Sequence, residues 1–176
     1  MNISRPDYLP QEAGLYIGSP KVLRQWTDHN GHMNLAAYLI AFDRCFSRFC
    51  DQTGIGPRQI PLTGKSIFVA ETHLVYRREL LLGDQVDVGI RITHFSPKRI
   101  IAYLSMFHRD SGELACVNEQ LDVCVDLATR HSSLFPNDVF TRLALLHARE
   151  AGLPPPPYAG HGIRMPDAVA PVRTDP

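Results

Sequence analysis

The chain has 176 residues, 44% of them hydrophobic and 20% charged, the make-up of one ordinary globular domain large enough to bury a core. Its 18 basic and 18 acidic side chains cancel to a formal net charge of zero. That excludes broad electrostatic binding to nucleic acid and leaves room only for a local basic pocket. No apolar h-region opens the sequence and no window approaches a membrane span, so a cytoplasmic protein without membrane contact is expected.

Residues 1–20, with Pro6 and Pro10, read as an irregular lead-in. A first strand is expected over Lys21–Thr27, running into Asp28. An Asn30-Gly31 corner follows, then a helix capped by Asn34 and reaching about Asp51. From Leu35 through Phe42 this helix is apolar on every side, the pattern of a helix buried all round. At about 18 residues it would be roughly 27 Å long, enough to cross a small sheet.

Gly54, Gly56, Pro57 and Pro61 mark a loop. Strands are then expected over Ser66–Tyr76, Gln85–Phe95, Arg99–His108 and Glu113–Leu127, with turn signals between them. Within the second, Val86, Val88, Ile90 and Ile92 alternate with Asp87, Gly89, Arg91 and Thr93, as in a half-buried strand. A terminal helix runs from Pro136 or Asn137 to Ala151. The domain is thus residues 21–152, and residues 153–176, rich in proline, read as an extended tail ordered only if it lies on a neighbour. Cys45, Cys50, Cys116 and Cys124 form no C-x-x-C pair and read as reduced cytoplasmic thiols.

The chemistry concentrates at the first helix start. A strand that ends in Asp28, a flexible Gly31 corner and a helix opening on Asn34 aim a carboxylate and backbone N–H groups at one small volume. Amides there, with the positive end of the helix dipole, would stabilise an oxyanion, and Asp28 would stand beside it as nucleophile or base. A metal reading of Asp28, His29 and His32 lacks a third carboxylate and a helical setting.

The spacing Asp-x-x-Gly-His-x-Asn-x-x-x-Tyr, from Asp28 to Tyr38, resembles the active-site motif of the acyl-CoA thioesterases typified by 4-hydroxybenzoyl-CoA thioesterase. The resemblance runs from about Lys21 to Leu145 and includes Tyr76 with Leu80-Leu81-x-Gly83-Asp84, and Val125-Asp126-Leu127. It implies an α+β hotdog fold, an antiparallel sheet wrapped around one long buried helix, and hydrolysis of an acyl-CoA without metal or redox cofactor. It assigns Asp28 as the catalytic carboxylate, Gly31 and the helix-start amides as the polarising groups, and Asn34 as a cap close to the site. His32 packs the corner or orients the acyl group. Leu35 departs from the family, which often has a second Asn there. Members resembling this chain are homodimers or homotetramers with sites between subunits.

The acyl group is read from weaker signals. Glu119 shares a strand face with Val117, Leu121 and Val123, and Glu71 sits comparably in its own strand. A carboxylate on an apolar face must be paired, shifted or used. With aromatic faces such as Trp26 or Tyr103, the two acids would receive a cationic acyl group. Tyr38, one turn into the helix, is a substrate-binding candidate whose hydroxyl would lie near the cap. The Trp26–Tyr38 region is also similar to thioesterases associated with carnitine breakdown, which implies a short cationic acyl group such as betainyl. Arg77, Arg78, Lys98 and Arg99, at strand ends, are candidates for the CoA phosphates. A hotdog dehydratase and a noncatalytic acyl-CoA-binding module are the alternatives.

Overall fold

A computed structural model describes residues 5–160, 162 and 163. Its strands are β1 (Leu15–Gly18), β2 (Lys65–Tyr76), β3 (Val86–Phe95), β4 (Arg99–His108) and β5 (Leu114–Asp126). They form one antiparallel sheet in the order β1-β3-β4-β5-β2. Helix α1 (Leu35–Thr53) packs across it, a single-turn α2 (Ile60–Thr63) leads into β2, and α3 (Asn137–Arg149) closes the far end. This is the expected hotdog fold, with strands β2 to β5 and the terminal helix within a residue or two of their expected limits.

Asn34 starts α1 by accepting the Ala36 N–H on its side-chain oxygen at 2.9 Å. The buried arc Ala37, Tyr38, Ala41, Phe42, Cys45, Phe46, Phe49 and Cys50 repeats at helical spacing. It meets Val86, Val88, Ile90 and Ile92 of β3 and Ile100, Ala102, Leu104 and Met106 of β4. The expectation of a helix buried all round is corrected here: Leu35, Leu39 and Ile40 are 66%, 37% and 44% exposed. A single sheet covers only one arc of a helix, and the described residues leave these three side chains open.

The first strand is not Lys21–Thr27. That stretch holds only isolated bridges, Lys21 to Gln85 and Thr27 to Met33, on either side of a tight turn at Arg24–Trp26. Val22 and Trp26 both enter the core from it, a spacing of four that a pleated strand with period two and this turn both permit. The true first strand lies inside the supposedly irregular lead-in, pairing Leu15 and Tyr16 with Ile90 and Gly89. Gly89 allows this close crossing, because a Cβ there would lie 2.3 Å from the Ala13 carbonyl oxygen.

β3 is also not half-buried. Asp87 is fully buried and Arg91 is 5% exposed, although both point away from α1. The lead-in covers one end of that outer face, with Tyr8 and Tyr16 bonded to Asp87. The tail covers the other: Arg91 donates to the Pro154 carbonyl at 2.8 Å and Tyr103 to that of Pro157. Ile163 packs on Ile101 and Leu121. The described part of the tail therefore lies on its own sheet rather than on a neighbour; residues 164–176 lie outside the described residues.

Two further properties bear on function. β2, the long edge strand, is exposed from Phe68 to Thr72. All four cysteines are buried and free, and burial pushes the Cys45 thiol up to about 11 and that of Cys116 up to about 12. No helix among the described residues is long and apolar enough to cross a membrane.

Candidate active site

The loop before α1 is a small closed turn. Asp28 N–H donates to the His32 carbonyl at 3.0 Å and Gly31 N–H to the Asp28 carbonyl at 3.1 Å. The Asp28 carboxylate accepts the Asn30 N–H at 2.8 Å, a side-chain turn that suits Asp ahead of an Asn-Gly corner. Gly31 takes φ 82°, and a Cβ there would meet nothing within 4 Å, so the corner faces open space. Beyond it, Met33 N–H bonds the Leu80 carbonyl and Asn34 N–H the Trp26 carbonyl, each at 2.7 Å. These bonds fix the helix start against the segment that follows β2.

His32 Nδ1 lies 3.9 Å from an Asp28 oxygen and 3.2 Å from the Met33 carbonyl. Among the amides of the first helical turn, those of Ala36 and Ala37 are engaged by Asn34. The Leu35 N–H has no acceptor among the described residues, so an orphan donor at the positive end of the helix dipole faces the same opening. Gly31 itself offers access rather than a donor.

Beside the loop lies a cavity of about 300 Å³ lined by His32, Met33, Leu35, Tyr38, Tyr76 and residues 77–79. Tyr38 and Tyr76 meet edge to face, with centroids 5.2 Å apart and planes at 81°. Their hydroxyls donate to the Arg78 and Leu35 carbonyls, both at 3.2 Å. Burial, helped by nearby acidic groups, pushes the Tyr38 phenol up to about 12, so it remains a donor at neutral pH. Arg78 pairs with Glu113 and bonds the Ser111 hydroxyl at 3.1 Å, while the Arg77 guanidinium lies 5.4 Å over the Tyr158 ring.

Asp28, Gly31, His32, Asn34, Tyr38, Arg77 and Arg78 are thus brought to one end of α1. The other expected side chains are not. Trp26 reaches the helix start through its carbonyl, but its ring is 5% exposed in the core, with Arg44 stacked 5.0 Å over it. Glu119 pairs across strands with Tyr103 and His73, and Glu71 with Leu121. Cross-strand partners share a face, and this one is the outer face, away from α1. There the Glu119 carboxylate accepts the Gly160 N–H at 2.9 and 3.0 Å. It borders a second cavity, of about 350 Å³, beneath the tail, which shares no lining residue with the one beside Asp28. Arg99 pairs with Val123 whereas Tyr76 pairs with Cys116, so Lys98 and Arg99 lie about 23 Å along β5 from Arg77 and Arg78.

Sequence reasoning missed a polar ladder on the helix side. Thr72 donates to Asn118 at 2.5 Å, Asn118 to Gln120 at 2.7 Å, and Gln120 to both oxygens of Asp122 at 3.0 Å. The signal was present: residues 118, 120 and 122 alternate with the apolar ones that drew attention to Glu119.

The chain belongs to the Thioesterase-like superfamily, whose profile matches residues 22–143. It is 29% identical over 145 residues to a betainyl-CoA thioesterase of Pseudomonas aeruginosa, covering 82% of this chain and 91% of that one. It is 32% identical over 143 residues to an L-carnitine dehydrogenase/betainyl-CoA thioesterase of Ruegeria pomeroyi, covering 80% of this chain and 28% of that longer protein. Among solved structures, a Staphylococcus aureus protein in complex with CoA superposes with a TM-score of 0.78 at 29% identity, over 87% of this chain and 97% of that one.

Proposed function

We propose that the protein hydrolyses an acyl-CoA thioester to the free acid and CoA, with betainyl-CoA as the favoured substrate. The observation that carries this reading is Asp28 at the open Gly31 corner, beside the orphan Leu35 amide and a cavity of about 300 Å³. A thioester carbonyl oxygen directed at that amide gains a hydrogen bond and the helix dipole as negative charge develops on it. Asp28 either attacks the carbonyl carbon, releasing CoA thiolate and leaving a mixed anhydride for water to open, or draws a proton from the attacking water. Arg77, at the cavity rim, suits a CoA phosphate. The betainyl preference rests on the likeness to the Pseudomonas and Ruegeria proteins.

The assembly is a homodimer or homotetramer in this reading. The unpaired edge of β2 and the exposed Leu35 and Leu39 beside it invite a second copy, which would cover the open side of the cavity. Light scattering should give a mass of at least two chains.

Release of CoA from betainyl-CoA, followed with a thiol reagent, tests the reaction; a dehydratase or a binding module releases none. Asp28→Asn keeps the shape of the loop and removes the charge, and turnover should fall by roughly a hundredfold or more. Turnover within a few-fold of wild type would sink the role of Asp28.

A further inference from the structure

A cationic acyl group needs a receptor within a few ångströms of its carbonyl, because in a betainyl group a single methylene separates the two. Within one chain the two acids expected to provide it, Glu119 and Glu71, lie on the other face of the sheet. Besides His32, Arg77 and Arg78, the cavity beside Asp28 is bordered by two aromatic rings and one carboxylate: Tyr76 and Glu79, both exposed, and Tyr38, which is 4% exposed and backs the Tyr76 ring. We infer that these three form the cation clamp that selects a trimethylammonium-bearing acyl group, an inference that rests on the thioesterase reading above.

Their chemistry fits this ligand. A quaternary ammonium has no N–H to donate, so it is recognised by the negative faces of aromatic rings and by a nearby carboxylate. Here both tyrosine hydroxyls are tied to backbone carbonyls, of Arg78 and Leu35. That anchoring holds the rings edge to face at the cavity wall, and Tyr76 is fixed to the first residue of the helix start itself. A ligand whose carbonyl meets the Leu35 amide therefore brings its onium group to this pair.

The charges around the cavity leave Glu79 as the available anion. Arg78 is neutralised by Glu113, and the guanidinium of Arg77 lies over the Tyr158 ring. Glu79 makes no ion pair among the described residues and acts on Tyr38 through its charge. Glu79 is exposed in the single chain. Once a substrate and a second subunit close the cavity, a trimethylammonium group beside it would help offset the cost of burying its charge, which a neutral acyl group would not.

The test compares betainyl-CoA with 3,3-dimethylbutanoyl-CoA, the uncharged isostere in which carbon replaces the ammonium nitrogen. Wild type should favour the cation in kcat/KM by roughly tenfold or more. Glu79→Gln and Tyr76→Leu should each shrink that ratio several-fold, mainly by raising KM for betainyl-CoA, while Tyr76→Phe, which keeps the ring, should retain most of it. A wild-type ratio near one, or an unchanged ratio in Glu79→Gln and Tyr76→Leu, overturns the clamp alone. Absence of CoA release from both substrates and from other acyl-CoAs overturns the hydrolase reading, and the clamp with it.

Discussion

Asp87 and Asp122 are both fully buried in the middle of strands, one on each face of the same sheet, yet they are held in opposite charge states. Asp87 accepts from the Tyr8 and Tyr16 hydroxyls and from Arg109 twice, at 3.0 and 2.8 Å. Burial pushes its carboxyl up, but the Arg109 guanidinium and the two phenols more than offset this and hold it below the usual carboxylate range. Among the described residues Asp122 has only the Gln120 amide as a donor. Burial pushes its carboxyl up to about 8, and Gln120 recovers only part of the shift. Burial alone therefore does not decide the charge of an acid; the donors that face it do. On the outer face an ionised carboxylate fastens the lead-in to β3, and on the helix face a neutral acid ends a ladder that needs no counter-charge.

The sharpest way to break this contrast is to titrate it. The folded state keeps a proton on Asp122 that the unfolded chain releases near pH 4. Between about pH 4 and about 8 the folded state thus binds more protons than the unfolded one, so stability falls as pH rises through this window and levels off above it. The full shift corresponds to at most about 6 kcal/mol, less whatever relaxation of the buried site recovers. Asp122→Asn cannot ionise, and its denaturation midpoints should lose this slope, making the variant more stable than wild type at pH 8. A wild-type slope that persists in Asp122→Asn would mean that another group carries it.

Asp87 predicts the opposite dependence. A carboxyl held below its ordinary value contributes stability above the unfolded pKa and loses it as pH falls through the folded one, so its effect is confined to acid. Asp87→Asn should destabilise the protein by about 2 kcal/mol at neutral pH, since it leaves Arg109 without its counter-ion; the partial exposure of Arg109 keeps the loss below that of a wholly buried pair. Urea denaturation checks this, and loss of the acid arm should accompany it. An unchanged midpoint would make the lead-in independent of Asp87.

The legible parts of this molecule are those whose signals are local. The helix announces itself by Asn34 and its apolar spacing, the meander by Gly83-Asp84 and Asp110-Ser111-Gly112, and the Asp28–Tyr38 motif lies on one loop and one helix turn. β1 has only 4 residues, too few for a period, and it exists because β3 offers an edge for it to pair with. The faces of β5 were harder for a different reason. A period of two tells which residues share a side, but not whether α1 or a returning tail covers that side. Glu119 among valines and leucines reads as a ligand in an acyl pocket; Leu121 on that face instead receives Ile163 of the tail, and the polar ladder lies on the helix side.

That misreading gives the smallest and most specific prediction. If Glu119 held the substrate, Glu119→Gln would change the preference between betainyl-CoA and its neutral isostere. Its carboxylate instead accepts the Gly160 N–H on the outer face, beside a cavity that shares no lining residue with the candidate site. A glutamine can still accept that bond through its carbonyl oxygen, so the change weakens a charge-assisted bond to a neutral one, at a cost of about 1 kcal/mol. Thermal unfolding should detect a small decrease, while the substrate ratio stays within about twofold, an energy difference of about 0.4 kcal/mol. The same substitution therefore separates the two faces of the sheet: stability responds through the tail, and selectivity should respond only to Glu79 and Tyr76. A shifted ratio in Glu119→Gln would return the acyl group to the outer face and undo the assignment of the clamp.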